Sequence, residues 1–164
     1  MIPRTAPRLQ RLLYLGFALP PGLAALHPEL NPAGQALETQ MMSELRRHFE
    51  VRSAGVLPLE PPRSEPADQA TGSAHDLWLT EKPPELLHRA RSLARLKARY
   101  QQWRAGGWEP DVVLVYNLTP IYNQFVRWLR RQPKRPRVVL LFLDSARLGA
   151  RESRWKRFRR RNLD

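Results

Sequence analysis

The chain has 164 residues, which is enough for one domain with a substantial hydrophobic core. It contains no cysteine, and this excludes disulfide scaffolds, thiolate metal sites and cysteine nucleophiles. The net charge is +13, but residues 1–120 carry 14 basic and 12 acidic side chains, whereas residues 121–164 carry 14 and 3. We therefore expect the anion-binding part of the protein to be its C-terminal quarter.

The first strand is predicted over residues 12–18, a continuous apolar run of the kind that is buried on both faces. Arg4, Arg8 and Arg11 precede this run, so the segment also resembles a short secretory signal. We favour the strand, because a helix with its own start signals follows at the distance that a βαβ unit needs. No apolar run reaches the roughly 20 residues needed to cross a bilayer, and we expect a cytoplasmic protein.

The first helix is predicted to begin at Pro32, with Asn31 as its N-cap, and to end near His48. An apolar side chain recurs every four residues along it, and the members of this stripe are Leu37, Met41, Leu45 and Phe49. Residues 51–57 form the second predicted strand.

Residues 58–84 are rich in proline and lack periodicity, which predicts an irregular insertion with one short strand over residues 76–79. A second helix is predicted from Glu85 to the Gly106-Gly107 pair. Its mostly apolar stripe comprises Leu86, Ala90, Leu93, Lys97, Tyr100 and Trp103.

The third strand is predicted over residues 111–117 and the fourth over residues 137–144, since both runs are apolar and rich in β-branched residues. Between them, Thr119-Pro120 starts another helix, whose inward side chains are Ile121, Phe125, Trp128 and Leu129. Alternating apolar strands and helices predict an α/β domain over residues 1–150, a Rossmann-like parallel sheet flanked by helices. If the strand order reverses beside the first strand, the first and third strands are neighbours, and their carboxyl ends border the ligand crevice.

Five side chains are candidates for this crevice. Asn31, Gly34 and Gln35 open the first helix, where free N–H groups suit a phosphate or a sugar hydroxyl, although an ordinary helix cap has the same sequence. Asn117 and Asp144 end strands and either bind a hydroxylated ligand or form the turn. No G-x-G-x-x-G and no G-x-x-x-x-G-K-[ST] is present, which disfavours a nicotinamide dehydrogenase and a P-loop nucleotidase.

Histidine and aromatic residues give weaker signals. The four histidines have no metal-binding spacing, so no metal site is predicted; they are His27, His48, His75 and His88. Three aromatic residues could stack on a sugar or a base, but such residues are more often part of the core; they are Tyr116, Tyr122 and Trp128.

The basic tail, residues 151–164, is predicted to be a truncated helix in which arginines surround two aromatic side chains. Its candidate contacts to a membrane or another anion are Arg154, Trp155, Arg157, Phe158, Arg160 and Arg161. The composition fits an anionic membrane surface, which would place the protein on the inner face of the membrane. It also fits a nucleic-acid backbone, and a solvated helix face is the structural alternative.

Taken together, the first strand, its proline/glycine loop and the segments 31–42, 110–117 and 137–144 resemble the N-terminal domain of family 4 (group 1) glycosyltransferases. Those enzymes have the GT-B fold, in which two Rossmann-like domains enclose the active cleft. The resemblance implies transfer of a sugar from a nucleotide-sugar, which is a co-substrate rather than a bound cofactor, to a lipid-linked or polysaccharide acceptor. It also implies no catalytic metal.

The same resemblance implies roles for the candidate residues. Asn31, Gly34 and Gln35 would border the donor and its phosphates, and Asn117 and Asp144 would border the acceptor. No catalytic residue is assigned. The donor-binding domain would have to come from elsewhere, for example from a separate chain, so we expect residues 1–164 alone to be inactive. The alternative is a small basic, non-catalytic module that binds nucleic acid or an acidic partner.

Overall fold

The computed structural model of the protein describes residues 9–19, 32–57, 76–80 and 86–141. The elements in these ranges are, in chain order, β1 (Gln10–Leu15), α1 (Pro32–His48), β2 (Phe49–Leu57), β3 (Asp76–Thr80), α2 (Leu86–Ala105), β4 (Val112–Tyr116), α3 (Pro120–Leu129) and β5 (Arg137–Leu141).

The five strands form one parallel sheet in the order β3-β2-β1-β4-β5. The predicted α/β class with a Rossmann-like sheet is confirmed, and so are the short strand within residues 58–84 and the pairing of the first and third predicted runs. Strand β1 is central, since Leu12 lies opposite Val51 on one side and Val112 on the other. The sheet therefore has its reversal of strand order between β1 and β4.

The strand ends differ from the prediction in a physically simple way. Strand β1 ends at Leu15 rather than at residue 18, because beyond Gly16 the backbone bonds to side chains of α1 instead of to a neighbouring strand. Strand β2 begins at Phe49, directly after α1, and not at residue 51. Residues 142–144 of the fourth predicted strand, and the whole basic tail, lie outside the described residues.

Side chains of the sheet alternate between two apolar layers, as the pleat of a strand requires. The larger layer lies under α2 and α3, and its fully buried members include Leu13, Leu15, Trp108, Val113, Val115 and Phe125. The smaller layer lies under α1, and its buried members are Leu12, Tyr14, Ala18, Met42, Leu114 and Tyr116. Helices therefore cover both faces of the sheet.

The buried faces of the helices correct two predicted stripes. Leu37 is 47% exposed and Ala90 is exposed, whereas Leu96 is buried. A four-residue step advances 400° around a helix, so a stripe built on that step drifts by 40° at each member and leaves the buried face. The most unexpected buried residue on α1 is Glu38, which is 3% exposed.

Helix α3 begins as predicted. Thr119 is its N-cap, and the Thr119 hydroxyl accepts a hydrogen bond from the Tyr122 N–H at 3.2 Å. The predicted inward residues are buried or, for Trp128, half-buried. Tyr122, which was not assigned to the inward stripe, is fully buried beside them.

Candidate functional site

The carboxyl ends of β1 and β4 form the switch point of this sheet. From β1 the chain continues to β2 on one side, and from β4 it continues to β5 on the other. In open α/β sheets, such a divergence leaves a crevice above the strand ends, where ligands bind. The described parts of this edge are residues 16–19 after β1, residues 117–119 after β4, and the first turn of α1.

Two side chains of α1 hold the chain that leaves β1. The Gln35 amide donates to the Phe17 carbonyl at 2.9 Å and accepts from the Leu19 N–H at 3.2 Å. The Glu38 carboxylate accepts from the Phe17 N–H at 2.8 Å and from the Tyr14 hydroxyl. These hydrogen bonds tie the central strand and its exit to one helix, and both polar atoms of the Gln35 amide are engaged by main chain.

We call Gln35 and Glu38, the two α1 side chains that hold the chain after β1, the clamp. Glu38 is the titratable member of this pair. Burial raises its pKa above the ordinary 4.5, although the hydrogen bonds from Tyr14, Phe17 and Ala18 act in the opposite direction. Burial also raises the pKa of Tyr14, and the neighbouring Glu38 carboxylate adds to that shift. The raised pKa keeps the proton on the Tyr14 phenol, which donates to Glu38.

The Glu38 shift predicts a pH dependence of stability. Because the pKa in the folded state lies above that in the unfolded state, Glu38 contributes stability that is complete below pH 4.5 and is lost as the pH rises through the folded pKa. As the pH rises above 4.5, the free energy of unfolding of the wild type should therefore fall relative to that of the Glu38→Gln variant. Urea denaturation of both proteins across a pH series measures this difference. If the wild type instead became more stable relative to Glu38→Gln as the pH rose, the three hydrogen bonds would lower the Glu38 pKa more than burial raises it.

Asn117 stands at the carboxyl end of β4 with a φ of 57°. This left-handed conformation is one that asparagine tolerates better than most residues. Its N–H donates to the Leu141 carbonyl at 3.1 Å, which joins the turn to β5. Its half-buried side-chain amide makes no hydrogen bond with any residue that the structure describes. Asn117 is thus a turn former whose amide is available at the switch point.

A buried tyrosine links the two sides of the crevice. The Tyr122 hydroxyl accepts from the Val56 N–H at 2.9 Å and donates to the Gly16 carbonyl at 3.2 Å. The Tyr122 ring lies 6.2 Å from the Phe17 ring. The interpretation of Tyr122 and Tyr116 as core residues is confirmed, since they are 0% and 5% exposed. Trp128 also packs against the core, stacked on Phe125.

The structure therefore brings part of the predicted site together. Gly34 and Gln35 lie in the first turn of α1, Gln35 contacts the exit of β1, and Asn117 ends the neighbouring strand. Asn31, Asp144 and the tail residues Arg154, Trp155, Arg157, Phe158, Arg160 and Arg161 lie outside the described residues. Glu38 was missed, because a glutamate in a helix is ordinarily a solvent-exposed residue.

A surface cavity of about 370 Å³ lies at the opposite, amino-terminal edge of the sheet and is lined in part by Arg11, Asp111 and Lys134. Its charged groups are paired within the fold, with Lys134 bonded to Asp111 at 2.7 Å and Arg11 to Glu50 at 3.0 Å. One pair joins the start of β1 to that of β2, and the other joins the start of β4 to the turn before β5. We therefore assign the cavity a structural role.

Metal ligands and membrane spans were also sought within the described ranges. They contain no group of three or more histidine, aspartate or glutamate side chains placed to hold a metal ion. No helix in them is both long enough and apolar enough to cross a bilayer.

No protein-family model, no curated protein and no solved structure matches this chain.

Proposed function

We propose that this domain is the acceptor-side half of a GT-B glycosyltransferase, which transfers a sugar from a nucleotide-sugar to a lipid-linked or polysaccharide acceptor. The observation that carries the proposal is the switch point between β1 and β4, with the Asn117 amide beside it, which bonds to none of the residues that the structure describes. An amide offers one acceptor and two donor positions, which suits a ligand made of hydroxyl groups.

The clamp from α1 supports the same proposal. A sugar is recognised by hydrogen bonds whose atoms must be held in fixed positions, and this requires a rigid wall. Gln35 and Glu38 fix the Phe17 backbone with hydrogen bonds of 2.8 and 2.9 Å. Gly34, in the first turn of the same helix, lacks a side chain and leaves its backbone approachable.

In this proposal the donor half comes from a second domain, and the active cleft forms between the two. The donor phosphates would be held by backbone amides and basic groups of that domain, and by the positive end of α1. The isolated chain should then transfer no sugar and bind nucleotide-sugars only weakly.

Asn117 permits a test that separates its structural role from a binding role. Asn117→Gly keeps the left-handed backbone accessible and removes the amide, so we expect unfolding free energy within about 1 kcal/mol of wild type. The loss of a hydrogen bond should weaken binding of a short neutral oligosaccharide by about tenfold. Nuclear magnetic resonance titration of the labelled chain measures affinity and location together. The expected amide shifts lie at residues 16–19 and 117–119.

The control is Asn117→Ala, which removes the same amide but strains the backbone by about 1 kcal/mol. If Asn117→Gly and Asn117→Ala weaken binding equally but lower stability unequally, the loss of binding is due to the missing amide. Amide shifts confined to the amino-terminal cavity, or none with any oligosaccharide, would contradict the proposal. Tight binding of a uridine- or guanosine-diphosphate sugar by this chain alone would contradict the division into two halves.

A further inference from the structure

The described residues after β3 have a pronounced excess of positive charge. Residues 86–141 contain twelve lysine and arginine side chains but only two carboxylates, Glu109 and Asp111. Both carboxylates are already paired, with Arg104 and Lys134 at 2.7 Å each. By contrast, residues 32–57 contain three basic and three acidic side chains. The positive charge therefore begins at α2, well before the C-terminal quarter in which the sequence analysis placed it.

The fold spreads this charge over one side of the molecule. Helices α2 and α3 both cover the sheet face opposite to α1. Helix α2 has six basic residues and no acidic residue over 20 positions, a length of about 30 Å. At the end of α3 and the turn into β5 follow six exposed basic residues, which are Arg127, Arg130, Arg131, Lys134, Arg135 and Arg137. We call the outer surface of α2, α3 and this turn the basic face.

Helix α2 shows how this face is built. Arg91, Arg95 and Arg99 recur every four residues and form one row along the helix. Lys97 lies on the other flank, toward α3, with its ammonium 5.6 Å from the centre of the Trp128 ring. Like charges four residues apart destabilise a helix. Helix α2 itself contains no acidic residue, so this row adds net positive charge to the basic face.

The outermost line of α2 distinguishes between anionic partners. Between the two basic flanks lie three exposed alanines, Ala90, Ala94 and Ala98. Among the described residues of α2 and α3, every aromatic side chain is buried or half-buried against the sheet, so this face offers no platform on which bases could stack. Because α2 lies flat on the sheet beside α3, it is also poorly placed to enter the major groove of a duplex, about 12 Å wide.

We propose that the basic face is a docking surface for an anionic phospholipid membrane, with α2 lying in the plane of the headgroups. An array of arginines along a helix of about 30 Å matches a planar array of phosphates, and the long arginine side chains can extend beyond the exposed alanines. Since residues 89–105 of α2 expose no large apolar side chain, the attachment is electrostatic and weakens as salt screens it. This surface is separate from the switch point, and the proposal does not depend on sugar transfer.

Co-sedimentation of the full chain with vesicles tests this proposal. The vesicles contain equal parts of phosphatidylcholine and phosphatidylglycerol, and pure phosphatidylcholine vesicles are the uncharged control. Arg91→Gln combined with Arg99→Gln should weaken binding by roughly 25-fold, because each arginine near an anionic surface contributes about fivefold. The matched control, Arg46→Gln with Arg47→Gln, removes the same charge from α1 and should weaken binding by less than about threefold. Far-ultraviolet circular dichroism verifies that both variants remain folded.

Three results would overturn the proposal. Equal weakening by the two double variants would mean that only the total charge matters. Equal binding to charged and uncharged vesicles would remove the electrostatic basis. Failure to bind anionic vesicles, together with salt-sensitive binding of duplex DNA that Arg91→Gln with Arg99→Gln weakens, would assign the basic face to nucleic acid.

Discussion

Replacing Gly55 with alanine should destabilise the protein by about 3 kcal/mol, because it introduces a methyl group into occupied space. A Cβ at this position would lie 2.3 Å from the Trp78 ring and 2.7 Å from the Gly16 carbonyl oxygen. Trp78 is 4% exposed and lies opposite Gly55 in the sheet, so its ring has little room to move. The Gly16 carbonyl is also the acceptor for the Tyr122 hydroxyl.

Guanidinium denaturation followed by circular dichroism measures the loss of unfolding free energy. In thermal denaturation, the melting temperature should fall by about 10 °C. The matched control is Gly106→Ala, where the nearest atom to an added Cβ is the Trp103 carbonyl oxygen at 3.4 Å. We expect Gly106→Ala to lie within about 0.5 kcal/mol of wild type. A Gly55→Ala protein as stable as Gly106→Ala would contradict the close packing of β1, β2 and β3 at this point.

Tyr122→Phe is expected to cost about 2 kcal/mol, since it removes one hydroxyl that satisfies two buried main-chain groups. Without it, the Val56 N–H and the Gly16 carbonyl would lose the bonds of 2.9 and 3.2 Å that join them to α3. The ring itself would keep its packing. The loss should therefore appear as lower stability without a change of fold.

The control is Tyr100→Phe. Tyr100 is equally buried, at 1% exposed, and its hydroxyl makes no hydrogen bond with any residue that the structure describes. This change should cost less than about 1 kcal/mol. Urea denaturation of both variants, with amide hydrogen exchange at Val56, gives the comparison. Normal protection of Val56 in Tyr122→Phe, with unchanged stability, would show that the hydroxyl contributes nothing.

Most of the fold could be predicted from the sequence. Parallel strands covered on both faces need continuous apolar runs, and these runs predicted β1, β2, β4 and β5 to within a few residues. The start of α3 at Thr119-Pro120 could also be predicted from neighbouring residues, because an N-cap and a proline act within one turn of helix. The class followed from the alternation of such segments.

The candidate site depended more on the tertiary structure. Asn117 could be placed at a strand end from the sequence, but its left-handed backbone, with a φ of 57°, could not. Gln35 looked like a ligand-binding residue, and the structure shows its amide bonded to the main chain beyond β1. A hydrogen-bond partner that lies 16 to 18 residues away leaves no periodic signal in the sequence.

The sequence by itself determined the strands, the helices and the excess of positive charge, because hydrophobic periodicity and charge are properties of neighbouring residues. Only the tertiary structure decided that Glu38 is buried, that Tyr122 joins α3 to the ends of β1 and β2, and that the arginines of α2 share one face with Arg127 of α3. The physical reason is the same in each case. Burial and electrostatic environment are set by residues that are distant in the chain, and these meet only when the crossovers place α1 on one side of the sheet and α2 and α3 on the other.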